Sequence, residues 1–174
     1  RALWNCCGGI DFLPEILTFK IEDFEGPLDL LLYLVGKNKM NLYDINIMAL
    51  IEQYTAAIRE MYRQVGGAVI EDEQMTRGVI IRHLVLPGCI DNSLGVLDWI
   101  AESFPKKDVL VSLMSQYVPM GRAKTMPPLD RRITQEEYDA VLSYLYLLEL
   151  DNGYTQDFSA ATAEYIPDFD LEGL

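Results

Sequence analysis

The feature that most constrains this chain is the run Val79-Ile80-Ile81-Arg82-His83-Leu84-Val85-Leu86, which stops at Pro87-Gly88. β-Branched side chains crowd the preceding turn of a helix but pack well on a pleated surface, and Pro-Gly ends regular structure, so the run predicts a buried strand closed by a turn. Asp91, Asn92 or Ser93 can then cap a helix carrying Leu94, Leu97, Trp99 and Ile100, which ends before Pro105. A second strand, Val109 to Met114, follows at once. Strand, helix and strand in that order predict a parallel βαβ unit with a right-handed crossover.

The pattern continues downstream. Val118 to Asp130 contains Pro119, Gly121, Pro127 and Pro128, and reads as a long irregular loop after the second strand, where α/β folds build their sites. Thr134 and Glu137 have the spacing of a capping box. Tyr138, Val141, Leu142, Leu145, Leu148 and Leu150 then form one apolar face of a helix expected to stop at Asn152-Gly153. Tyr154 to Phe158 is expected as a third strand, and Glu164 to Leu174 as an irregular wrap.

Upstream the period is helical. Pro27 suits a first turn, and Leu28, Leu31, Leu32 and Val35 recur at three- and four-residue steps until Gly36. A longer helix is expected from about Asp44 to Gln64, with Ile47, Leu50, Ile51, Tyr54, Ile58, Met61 and Tyr62 on its apolar stripe. Gly66-Gly67 and Glu71-Asp72-Glu73 read as a turn or linker. Residues 1–17, with the pair Cys6-Cys7, receive no assignment, since adjacent cysteines rarely chelate one ion together.

Composition narrows the function. With 14 basic against 27 acidic residues the formal charge is -13, and the basic residues are scattered, so a direct nucleic-acid partner is not expected. No run approaches the roughly 20 apolar residues that span a bilayer, and no signal peptide precedes the first helix, so a cytoplasmic location is expected. Three cysteines, Cys6, Cys7 and Cys89, without regular spacing fit a reducing compartment. The first residue is Arg1 rather than Met, which reads as a fragment of something longer.

Two stretches resemble known families. Phe24-Glu25-Gly26-Pro27-Leu28-Asp29-Leu30-Leu31-Leu32-Tyr33-Leu34, followed by Asn41-Leu42-Tyr43-Asp44-Ile45, resembles the amino-terminal end of the bacterial kleisin ScpA, segregation and condensation protein A. The resemblance implies a chromosome-condensation subunit that bridges SMC ATPase heads and binds the winged-helix partner ScpB. It also implies that Leu28, Leu31, Leu32, Val35 and Ile51 form a partner-facing or bundle surface. It covers residues 18–55.

From residue 56 to 174 the chain resembles something else. Ala57 to Gly66, Arg77 to Gly88, Ser112 to Tyr117 and the ending Glu164 to Leu174 resemble radical S-adenosylmethionine proteins of the PflX type, relatives of the pyruvate formate-lyase activating enzyme. This implies an α/β fold, a partial (β/α) barrel of order βαβαβ preceded by a short helical segment. It implies a [4Fe-4S] cluster that cleaves S-adenosylmethionine, with a cluster-bearing half or a glycyl-radical-type protein as partner. The cluster needs three thiolates spaced Cys-x3-Cys-x2-Cys, and the sequence has no such loop, so no metal site, no catalytic residue and no catalysis by this chain alone are expected.

Cofactor-binding residues follow from the same resemblance. Arg82 stands in the strand that supplies an arginine to bound S-adenosylmethionine, and Tyr117 falls where the activating enzyme has a histidine near the adenosyl group. Arg82 faces either that site or a neighbouring helix or solvent. His83, the one histidine, must point to the opposite side of the strand from Arg82. Helical periodicity runs unbroken from Tyr54 to Ile58, which places the junction of the two resemblances inside a helix, whereas natural fusions join through flexible segments.

Overall fold

The computed structural model describes residues 27–37, 46–72 and 74–156, with side chains from Leu30 onward. Cys6-Cys7, the stretch Asn41 to Ile45, and everything after Gln156, including the expected wrap, lie outside the described residues. The chain divides between Gln64 and Val65 into two compact units. Among the described residues no helix is long and apolar enough to cross a membrane.

The described residues of the first unit form two helices, α1 (Pro27–Lys37) and α2 (Ile47–Val65). Asn46 starts α2, its Oδ1 accepting from the Ala49 amide at 3.1 Å, so the helix begins after Asp44 with a side-chain cap. It then runs without a break through Tyr54 to Ile58. Leu30, Leu34 and Ala57 are the buried centre, with Leu50, Tyr54 and Met61 packed around them. The expected stripe on α1 holds only in part: Val35 is buried as expected, but Leu32 is 56 % exposed, and Leu34, outside the stripe, is fully buried. The cause is composition. α1 is apolar nearly all round, so period alone cannot choose a face, and Ala57, which carries little hydrophobic signal, marks the contact on α2.

The second unit begins with a hairpin that the turn reading missed. β1 (Val69–Glu71) pairs antiparallel with β2 (Gln74–Arg77), with Asp72 at the bend in the left-handed region, φ 49°. Beyond Gly78, β3 (Val79–Leu84) and β4 (Val109–Met114) pair in parallel, Val79 opposite Val109 through Leu84 opposite Met114. β5 (Tyr154–Thr155) joins the far side of β4 in parallel, giving the order β3-β4-β5. Among the described residues β3 is therefore an edge strand, half exposed, and the fully buried strand is β4, with Val109, Leu110, Val111 and Leu113 all at 2 % exposure or less.

Two crossover helices, α3 (Ile90–Ser103) and α4 (Gln135–Leu147), pack against each other. Tyr144 on α4 donates to Asp98 Oδ1 on α3 at 2.7 Å. Right-handed crossovers between sequential parallel strands place both helices on one sheet face. Leu97, Ile100, Val141 and Leu145 supply that core with Val109, Val111 and Leu113. The capping box on α4 is present, Thr134 Oγ1 accepting from the Glu137 amide and Glu137 from the Thr134 amide. Two boundaries differ from expectation. α3 has Cys89 at its N-cap position with no side-chain cap, because Ser93 is buried under the sheet instead. α4 ends at Leu147, before Asn152, because Glu149 turns left-handed at φ 59°.

Candidate functional site

The carboxyl ends of the parallel strands form the first candidate. Alternation along β3 sends His83 to the helix side, where Nε2 lies 2.9 Å from Ser93 Oγ on α3. Burial holds its imidazole below the ordinary 6.5. His83 is thus a packing residue with one hydrogen bond. Arg82 points the other way and is exposed, its Nη2 donating to Met114 Sδ at 3.2 Å.

Arg82 is joined there by residues that the sequence did not single out. Gln116 Nε2 lies 3.8 Å from the same sulfur, and its Oε1 accepts from Gln156 Nε2 at 3.4 Å. Gln156 Oε1 accepts from the Ser115 amide at 3.1 Å, while its own amide donates to Tyr138 Oη at 3.1 Å. Tyr138 Oη in turn donates to Leu113 O at 3.3 Å. A polar row thus crosses from β3 over β4 to the end of β5. No local motif announces it, because Ser115 and Gln156 are 41 residues apart.

Tyr117 is half-buried and takes no part in that row. Its hydroxyl donates to Leu129 O at 2.8 Å, tying together the two ends of the loop that contains the short helical turn Gly121–Thr125. The structure therefore gives Arg82 and Tyr117 separate hydrogen-bond partners. Glu137 anchors the same loop: Arg131 donates to both of its oxygens at 2.8 Å and the Gly88 amide donates to Oε1 at 2.8 Å. Those donors, Arg131 foremost, hold its carboxyl at about 2. Gly88, at φ 67°, lies so close to Pro128 that a Cβ would sit 2.5 Å from Pro128 Cγ.

A hollow of about 50 Å³ lies between β4 and α4, lined by Val111, Leu145, Leu150 and Gly153, far below the roughly 300 Å³ at which small-molecule pockets begin. Among the described residues, no group of three or more His, Cys, Asp or Glu side chains is placed to hold a metal ion. Cys89 is the one described cysteine and is half-buried.

The second candidate is the surface of the helical pair. Leu32 is 56 % exposed on α1, and Ile47, Met48 and Ile51 are 60, 67 and 49 % exposed on α2. Ile47 and Ile51 lie one turn apart and share a face. These are large apolar side chains left exposed on the two packed helices.

Comparison with known proteins bears on this second candidate. The chain is 49 % identical over 47 residues to segregation and condensation protein A of Ligilactobacillus salivarius, a match covering 27 % of this chain and 18 % of that protein. It is 53 % identical over 45 residues to the Lactiplantibacillus plantarum protein of the same name, and 57 % identical over 42 residues to that of Streptococcus mitis, covering 18 % and 17 % of those proteins. In each case the match spans less than a fifth of the relative's length and about a quarter of this chain. No protein-family model matches the chain, and no solved structure does. These relatives support the kleisin-like segment and lend nothing to the radical S-adenosylmethionine resemblance of residues 56–174.

Proposed function

We propose that the helical segment at residues 18–55 is an ScpA-like kleisin element that binds an SMC ATPase and ScpB in chromosome condensation and segregation. The observation that carries this is the identity of 49 to 57 % over 42 to 47 residues to proteins named segregation and condensation protein A. The exposed Leu32, Ile47, Met48 and Ile51 agree with it, since burying such side chains against a partner gains about 1.5–3 kcal/mol each. Of the residues expected to face a partner, Leu32 and Ile51 are free to do so, whereas Val35 is buried at 8 % exposure.

The test is retention of the whole chain on an immobilised bacterial SMC head-and-neck fragment. Wild type is retained, and the double substitution Leu32→Asp with Ile51→Asp weakens binding by about a hundredfold, the effect of losing roughly 2.7 kcal/mol. Absence of retention at micromolar concentration, or equal retention of the variant, overturns the reading.

A second reading keeps residues 56–174 as the carboxyl-terminal part of a radical S-adenosylmethionine protein. Sequential parallel strands with crossover helices agree with it at the level of α/β fold class. In that reading Arg82 meets a carboxylate or ribose oxygen of the cofactor and Tyr117 lies near its adenosyl group. The [4Fe-4S] cluster does not fit the donor set, because Cys6, Cys7 and Cys89 lack the required spacing, and the chain would be inactive alone. Anaerobic iron and sulfide analysis checks the cluster, and calorimetric titration of S-adenosylmethionine into wild type and Arg82→Ala checks the site. Equal heats from both proteins would remove Arg82 from it.

A further inference from the structure

A thioether is a weak hydrogen-bond acceptor, yet two N–H donors converge on one here: Arg82 Nη2 at 3.2 Å and Gln116 Nε2 at 3.8 Å from Met114 Sδ. The sulfur is the poorest acceptor in the polar row that crosses the sheet. Downstream of it the row is made of amides and a phenol, with a long contact of 3.4 Å between Gln156 and Gln116 and one of 3.1 Å between Gln156 and Tyr138. Whatever strengthens the sulfur as an acceptor joins β3 more firmly to β4 and to the residue following β5.

We propose that Met114 is an oxidation site whose sulfoxide is received by Arg82 and Gln116. With hydrogen peroxide as the oxidant, a sulfur lone pair attacks one peroxide oxygen and the O–O bond breaks. The S–O bond forms, the second oxygen leaves as water after taking the proton of the first, the sulfur is oxidised by two electrons and the peroxide is reduced. Sulfoxide formation elsewhere places a polar oxygen among apolar neighbours and disrupts packing. At Met114 the new oxygen forms on a sulfur at which two donors already aim. A guanidinium bonded to it makes a charge-assisted hydrogen bond, about twice as strong as a neutral one. Arg82 and Gln116 are both exposed, so peroxide can reach the half-buried sulfur and either side chain can draw back to admit the oxygen.

Met120 and Met126 serve as internal controls. Each is 48 % exposed, and neither sulfur has a hydrogen-bond donor among the described residues.

The experiment treats the whole chain with graded hydrogen peroxide, locates sulfoxides by peptide mass spectrometry and records the thermal midpoint by circular dichroism. Met114 sulfoxide forms, and the wild-type midpoint stays level with that of Met114→Leu treated in the same way. The Arg82→Ala, Gln116→Ala double variant, once oxidised, falls by about 5 °C relative to its reduced form. Both substitutions are at exposed positions and leave the core intact. A second measurement uses wild type alone: oxidation slows modification of Arg82 by phenylglyoxal by about threefold, since the guanidinium is held by a stronger acceptor. The proposal is overturned if Met114 stays reduced while Met120 and Met126 are fully converted. An equal fall of the midpoint in wild type and the double variant, or an unchanged phenylglyoxal rate, overturns it as well.

Discussion

Replacing Gly153 by Ala gives the sharpest test of how the carboxyl-terminal unit is built. A Cβ at this position would stand 1.9 Å from Val111 O, 2.6 Å from Val111 N and 2.7 Å from Val111 C. All three atoms are backbone of the central strand β4, so no side chain can rotate away. Restoring an ordinary contact of 3.4 Å requires the two chains to part by about 1.5 Å, which takes their hydrogen bonds past any bonding distance. β5 pairs with β4 through only Ser112 opposite Tyr154 and Leu113 opposite Thr155, and is the part that gives way. Its release takes the Ser115–Gln156 and Gln156–Tyr138 hydrogen bonds with it. At about 0.5–1.5 kcal/mol for each of these two bonds, their loss sums to about 1–3 kcal/mol, with the short β4–β5 ladder lost in addition. Urea unfolding followed by far-ultraviolet circular dichroism measures it, and hydrogen exchange at the Ser115 and Gln156 amides locates it. A loss below about 0.5 kcal/mol, the range of ordinary surface changes, with both amides still protected, would refute the reasoning.

Gly95→Ala has the opposite sign: the position is exposed in α3 with nothing within 4 Å, so the substitution stabilises by about 0.5–1 kcal/mol in the same assay. Leu34→Ala removes a fully buried side chain and costs about 2–5 kcal/mol, whereas Leu32→Ala stays within about 0.5 kcal/mol; equal costs would show that the face of α1 is assigned wrongly. The depressed carboxyl of Glu137 stabilises the fold above its ordinary value of 4.5, and that contribution disappears as pH falls toward about 2. Glu137→Gln therefore lowers stability at neutral pH and flattens the acid limb of a urea-midpoint profile. His83, held below 6.5 by burial, favours the neutral imidazole, so stability declines as pH falls below 6.5. His83→Gln removes that part of the slope.

Local pattern determined a good deal of this protein. The strand Val109 to Met114, the capping box at Thr134 and Glu137, and the opposition of Arg82 and His83 follow from period, propensity and cap chemistry within a few residues. The kleisin-like segment was legible for a related reason, since a run such as Phe24 to Leu34 carries its identity in contiguous residues. Tertiary structure decided the rest. Seven apolar residues in the eleven of α1 leave its buried face undetermined until Ala57 of α2 selects Leu30 and Leu34. Val79 to Leu84 reads as buried by composition yet lies at a sheet edge, because strand order is set by which strands pair and not by the strand's own residues. The polar row from Arg82 to Tyr138 exists only where three strand ends meet. A hydrogen bond spanning 41 residues leaves no periodic trace in the chain, since its energy depends on distance in space.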